Sequence, residues 1–247
     1  MLPAERREAI LKMVQQKGAV EVADLSQRFD ASPSTIRRDL EWLADRARIA
    51  RTYGGAVAIE PPTEQTLRAG DVARRVGRAA ADLIPPGESI FIGPGALCQA
   101  TAQQLEGRTD LAVITNSLVV AWTLFRHAEI PLILTGGPVM RPDGALTGQT
   151  ALQTLQSLRA DRLVLEVAGV SPVEGLTSDQ LPLAELLRPL IETVPQIMVL
   201  ATGQQLGRVG AAWLGPASSA DVVITTRDAP DAMVWDLTET GVKVTLV

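Results

Sequence analysis

The chain has 247 residues, 46% of them hydrophobic and 21% charged, with a formal net charge of −5. That length allows two domains, or a small module joined to a larger one. A single cysteine, Cys98, and a single histidine, His127, exclude a disulfide framework, a thiolate metal centre and the usual zinc constellations within one chain.

The start is charged (Glu5, Arg6, Arg7, Glu8) and lacks the apolar core of a signal peptide. Ala4 to Gln16 has helical spacing, with Ile10, Leu11 and Val14 on one face and Gly18 just beyond its end. Val20-Glu-Val22 reads as a short extended link, and Val22 to Phe29 as a second helix burying Leu25 and Phe29. Asp30-Ala-Ser-Pro supplies a turn, with Ser32 as N-cap and Pro33 at the first helical position, where its missing N–H costs nothing. The third helix is predicted to reach about Ala47, with Ile36, Leu40 and Leu43 at core spacing. That stripe leaves Ser34, Thr35, Arg37, Arg38 and Glu41 on the other faces. Ile49 to Val57 is expected to form a two-stranded wing, with Gly54-Gly55 allowing tight turns. The sum is a winged helix-turn-helix over residues 1–58.

Residues 59–70, with two prolines and scattered polar groups, read as a linker. A helix over Asp71–Ile84 follows, and then strands and helices alternate through residue 247. Strands are predicted at Ser89–Gly93, Leu111–Thr115, Leu132–Thr135, Arg162–Val167, Ile197–Ala201, Val222–Thr225 and Val242–Leu246. Helices fit at Leu97–Leu105, Leu118–Arg126, Gly148–Leu158 and Leu183–Thr193. The uncharged run over residues 111–125 is too short to span a bilayer. Most of the strands are apolar throughout, as in a parallel sheet covered on both faces. The expected fold class is α/β: an N-terminal winged helix-turn-helix, then a larger, mostly parallel sheet domain over 71–247.

Helices that read DNA present their N-terminal residues to base edges in the major groove, and an arginine fork can bond bidentately to guanine. Ser34, Thr35, Arg37 and Arg38, with Arg51 and Tyr53 in the wing, are therefore the candidate DNA-binding residues. Thr35 could instead support its own turn, and Tyr53 could pack a hairpin tip. Residues 1–58 hold ten Lys/Arg and eight Asp/Glu, whereas the remainder holds 13 and 20. Only the N-terminal part suits phosphate, and its small excess leads one to expect a homo-oligomer that adds up contacts.

Ser32-x-x-Thr35-Ile-Arg-Arg-Asp-Leu40 and Arg51-Thr-Tyr-Gly-Gly-Ala56 resemble the DNA-binding domain of DeoR-type bacterial regulators. The resemblance continues through Glu88-Ser-Ile-Phe-Ile92, Val113-Ile-Thr-Asn-Ser117, Leu134-Thr-Gly-Gly137 and Gly175-Leu-Thr177, which match that family's sensor domain in order and spacing. It implies a transcriptional regulator, most often a repressor, that binds double-stranded operator DNA and is oligomeric and cytoplasmic. It also implies a sensor similar in fold to sugar-phosphate isomerases and responsive to a phosphorylated sugar.

Four segments depart from the family. Its Asp-x-Gly-Thr-Thr is Gly93-Pro-Gly95-Ala96-Leu97 here, and its Gly-x-Asp-Gly is Glu166-Val-Ala168-Gly169. Its Asp-x-x-Lys is Thr202-Gly-Gln-Gln205, and the lysine expected near Leu187-Arg188 is Leu187. The effector, a small anion or sugar derivative, is thus expected in an altered pocket around Gly93, Gly95, Ala96, Asn116, Gly136, Gly137 and Gly169. Gly93-Pro-Gly95 could cradle an anion through backbone amides or be a purely steric turn. Thr115-Asn116-Ser117 could line a ligand or cap the next helix. A ligand-independent scaffold is the alternative reading of this domain. An isomerase would need a positioned base, for which Glu166 is the one carboxylate in view, and no lysine lies between Lys17 and Lys243. No catalytic residue, metal or cofactor is expected. Cys98 and the four tryptophans read as core or, for the tryptophans, interface residues, and His127 as a surface helix-end residue.

Overall fold

The computed structural model describes residues 3–46, 48–52, 54–58, 64–141 and 143–247, without the side chains of Gln15, Ala58, residues 64–67 and His127. It divides into two compact units, Met1–Gln65 and Thr66–Val247.

The first unit contains α1 (Pro3–Lys17), β1 (Ala19–Glu21), α2 (Val22–Phe29), α3 (Pro33–Ala44), β2 (Ile49–Arg51) and β3 (Gly55–Ala58). Ile10, Leu11 and Val14 of α1, Leu25 of α2, and Ile36, Leu40 and Leu43 of α3 form one core with Val20, Ile49 and Ala56. The link expected at residues 20–22 is a strand: β1 pairs antiparallel with β3, giving a three-stranded sheet ordered β1-β3-β2 rather than an isolated two-stranded wing. Gly55 is required by this pairing and not by the turn, since a Cβ there would lie 1.9 Å from the Val20 carbonyl oxygen. Ala47, expected near the end of α3, lies outside the described residues, and α3 ends at Ala44.

All but the first two residues of α4 (Glu64–Asp82) belong to the second unit, and the helix begins inside the segment read as linker; residues 59–63 of that segment lie outside the described residues. The second unit continues with β4 (Ser89–Ile92), α5 (Ala96–Gln103), β5 (Ala112–Thr115), α6 (Leu118–His127) and β6 (Leu132–Leu134). A small hairpin, β7 (Val139–Met140) and β8 (Ala145–Leu146), precedes α7 (Gly148–Gln156) and β9 (Arg162–Glu166). Then come β10 (Gly169–Ser171), β11 (Gly175–Ser178), α8 (Leu181–Thr193), β12 (Gln196–Leu200), β13 (Ala212–Gly215), β14 (Val222–Thr225), α9 (Asp231–Glu239) and β15 (Lys243–Leu246).

Seven strands form one sheet ordered β15-β14-β12-β9-β4-β5-β6, every pair parallel. Alternate side chains feed two cores. Phe91, Leu163, Leu165, Ile197 and Val199 pack with residues of α7, α8 and α9. Ile90, Ile92, Val164, Met198 and Leu200 pack on the other face with α4, α5 and α6. Burial on both faces explains the continuous apolar runs. β10, β11 and β13 form a separate antiparallel sheet; these strands, the β7–β8 hairpin and α9 are elements that sequence periodicity did not reveal.

The sheet order places a switch point between β4 and β9. The chain runs outward from β4 through β5 to β6, and from β9 through β12 and β14 to β15. Crevices at such points, beyond the carboxyl ends of the strands, are where open α/β sheets hold ligands.

Candidate functional site

In the first unit, α3 is started by a hydroxyl cap. Ser32 Oγ accepts from the Thr35 amide at 3.2 Å and lies 2.9 Å from both Ser34 Oγ and Thr35 Oγ1. Such a cap stabilises a helix by about 1 kcal/mol. Thr35 is partly buried within this cluster, whereas Ser34, Arg37 and Arg38 are exposed. Neither Arg37 nor Arg38 has a hydrogen bond or ion pair with the described residues. Two exposed guanidinium groups on one turn therefore have no partner among the described residues.

The next residue behaves in the opposite way. Asp39 is 1% exposed and accepts from Arg6 Nε at 2.6 Å and Arg7 Nε at 2.7 Å. A buried carboxylate needs such partners, and these two bolt α1 to α3. Arg7 also stacks on Trp42, 4.6 Å from the ring centroid, and Arg46 covers the same ring at 3.8 Å. The sequence signal for this bolt was available: Asp39 falls on the Ile36–Leu40–Leu43 stripe, where a charge has to be paired. In the wing, Arg51 lies 3.4 Å from Glu41 of α3, both side chains remaining exposed. Tyr53 lies outside the described residues.

In the second unit, a cleft of about 620 Å³ opens at the switch point, beyond β4, β9 and β12. Gly95 and Ala96 line it; Gly93, Asn116, Gly136, Gly137 and Gly169 are not among its lining residues. Gly93 is buried and its amide bonds the Val164 carbonyl. Thr115, Asn116 and Ser117 serve local structure. Thr115 Oγ1 donates to the Ile92 carbonyl, Asn116 Nδ2 donates to the Leu146 carbonyl at 3.0 Å, and Ser117 Oγ caps α6 through the Val120 amide. Asn116 Oδ1 is buried without a partner among the described residues. Gly137 and Gly169 are sites of close backbone approach, where a Cβ would meet Thr147 O at 2.5 Å and Arg208 O at 2.1 Å.

Glu166, at the carboxyl end of β9, reaches to the start of α5. Its Oε2 accepts from the Leu97 amide at 2.7 Å. Burial pushes this carboxyl above its ordinary value, and Asp143 adds to the effect, against the opposing pull of the Leu97 and Cys98 amides. Across the cleft, Arg208 donates to both carboxylate oxygens of Asp179, at 2.9 and 2.8 Å, and to the Ala168 carbonyl at 2.6 Å. Gln205 closes a turn by accepting from the Thr202 amide and donates to the Val167 carbonyl, both at 2.6 Å. Leu187 is buried in the core and Arg188 binds the Trp213 carbonyl, so neither reaches the cleft. Asp143, Asp179, Gln180 and Arg208 come from loops that periodicity does not place, and no local spacing announces them.

Cys98 is fully buried, its thiol pushed well above its ordinary value by burial and then by Glu166, so it is inert packing. The tryptophans are not core residues: Trp42, Trp122, Trp213 and Trp235 are 37%, 60%, 52% and 67% exposed. The His127 side chain lies outside the described residues. Among the described residues no cluster could hold a metal ion, and no helix is long and apolar enough to cross a membrane.

Residues 6–62 match the DeoR-like helix-turn-helix domain, and residues 71–227 match the DeoR C-terminal sensor domain. The chain is 29% identical over 251 residues, all of both chains, to the glycerol-3-phosphate regulon repressor of Escherichia coli K12. It is 33% identical to an HTH-type transcriptional regulator of the same organism, covering 94% of this chain and 93% of the relative. Among solved structures, the full-length sorbitol operon regulator SorC of Klebsiella pneumoniae aligns with a TM-score of 0.43 and 11% identity, over 94% of this chain and 97% of that one. A helix-turn-helix domain and a sensor domain, matched in order along one polypeptide, place this chain in the DeoR family of DNA-binding transcriptional regulators.

Proposed function

We propose that this chain represses transcription by binding an operator through the N-terminal turns of α3, with Arg37 and Arg38 reading base edges. Ser34 and Thr35 contact the backbone beside them, and Arg51 and Tyr53 of the wing touch phosphate or the minor groove. The observation that carries this reading is the pair of exposed, unpaired guanidinium groups on the first turns of a capped helix. Repression follows the relatives whose names state it. With only a small positive excess in residues 1–58, the operator complex is formed by a homo-oligomer that multiplies phosphate contacts.

The cleft at the switch point is regulatory and not catalytic. An isomerase would need a free base and a free cation facing the substrate. Here the candidate base, Glu166, is tied to the Leu97 amide, and the cation, Arg208, is tied to Asp179. The deciding experiment measures binding of the purified protein to its own upstream DNA and to random DNA of equal length. Preference for the upstream DNA, weakened selectively by Arg38→Ala, supports base reading. Equal losses on both DNAs would reassign the arginine to phosphate, and no preference at all would sink the operator reading.

A further inference from the structure

The start of a helix carries unsatisfied amides and a positive potential, and it is a natural seat for a phosphate or carboxylate. In this chain the seat at α5 is already filled. Glu166 Oε2 lies 2.7 Å from the Leu97 amide, and Gly95 is shaped to admit it. Gly95 has a φ of +122°, and a Cβ there would lie 2.1 Å from that same oxygen. The glycine and the glutamate are a matched pair, one making room for the other.

The rest of the cleft accords with a filled seat. Arg208 is the one cationic side chain among its lining residues, and Asp179 and the Ala168 carbonyl engage it. Asp143 adds a further carboxylate and accepts from Gln180 Nε2. Gln180 Oε1 is left without a donor among the described residues. Three carboxylates, Asp143, Glu166 and Asp179, thus line the cleft against one cation, which Asp179 already engages. An incoming phosphate would meet an occupied Leu97 amide, a cation already engaged by Asp179, and the carboxylates of Glu166 and Asp143. A molecule bringing hydroxyl or ammonium donors would find acceptors waiting.

We propose that Glu166 is a built-in ligand of the anion seat, and that the cleft takes an unphosphorylated polyol or amino sugar as its effector. This rests on the regulatory reading of the cleft and specifies its ligand class.

The test uses the full-length protein, with inorganic phosphate as the first probe. Wild type should give no heat of binding in calorimetry. Glu166→Gly, and Glu166→Ala in case the glycine variant folds poorly, should gain phosphate binding at least tenfold tighter than wild type. Equal phosphate affinity in wild type and both variants, or no binding by any of them, overturns the built-in ligand. The second probe is a thermal-shift panel of glucitol and glucosamine beside their 6-phosphates. A rise with a free compound and none with its ester supports the ligand class. A larger rise with the ester, or a silent panel, overturns it, and silence returns the domain to a scaffold. Operator binding is measured separately on the same preparations, so a failure of the regulator reading shows there and leaves the phosphate result intact.

Discussion

The two candidate sites treat charge in opposite ways. On α3, Arg37 and Arg38 stand exposed with no partner among the described residues, while the carboxylate beside them, Asp39, is buried and doubly bonded. In the cleft of the second unit the one cation and the most buried carboxylate are held by the protein itself: Arg208 by Asp179, and Glu166 by the start of α5. A surface that meets an external polyanion gains from cations left uncompensated, because the partner supplies the compensation. A pocket whose cation is compensated internally offers an anion no such gain, and its selectivity must come from shape and hydrogen bonds.

The largest effect expected from disturbing this contrast comes from Asp39→Ala. It leaves two partly buried guanidinium groups without their carboxylate, at a cost of about 3–5 kcal/mol, toward the lower end because Arg6 and Arg7 keep some contact with water. In a unit of this size that is enough to unfold it. Calorimetry should show an early transition for the first unit, an unchanged one for the second, and loss of operator binding. Gly95→Ala comes next, at about 1–3 kcal/mol against the second unit, since both the backbone angle and the Glu166 carboxylate oppose a side chain. Combining it with Glu166→Gly should recover the part due to collision and leave the part due to φ. A full recovery, or none, would show that only one of the two constraints operates.

Arg37→Ala or Arg38→Ala should cost about 1–3 kcal/mol of operator affinity for the residue that reads a base. The melting temperature should stay unchanged, because nothing described in the fold leans on either side chain. A clear loss of stability would mean that they, like Arg6 and Arg7, are structural. The smallest effect concerns pH. The Glu166 carboxyl is raised above its ordinary value, so the folded chain holds that proton more tightly than the unfolded chain does. The stability linked to it is present below the ordinary carboxylate range and is lost as pH rises through the raised value. Glu166→Gln should flatten the fall in melting temperature between mildly acidic and neutral pH. A parallel fall in both proteins would assign the pH dependence to other groups.

Much of this architecture was legible in the sequence, because strands covered on both faces and helices covered on one leave different apolar rhythms. The parallel sheet and most of its helices follow from runs such as Arg162–Val167 and stripes such as Ile36–Leu40–Leu43. β10, β11 and β13 did not stand out, since short antiparallel strands rich in glycine and serine resemble loops. α9 was missed for want of an apolar stripe, with only Leu237 of its residues buried. For the cleft, comparison with the family pattern pointed to Gly95, Glu166, Thr202 and Gln205. That Glu166 turns back onto α5 depends on β9 lying beside β4, a pairing across about seventy residues that no local pattern encodes. Asn116 shows a use that its place at a strand end did not announce: its Nδ2 holds β8.

The Asp39 bolt has one more consequence. Two Arg-Arg pairs, 6–7 and 37–38, look alike as sequence, but Asp39 holds the first. The Trp42 ring covers Arg46. Each protein cation that neutralises a DNA phosphate releases condensed counterions, contributing about 0.9 to the slope of log affinity against log salt. Each protomer should therefore add less to the salt slope of operator affinity than the ten basic residues of the first unit suggest.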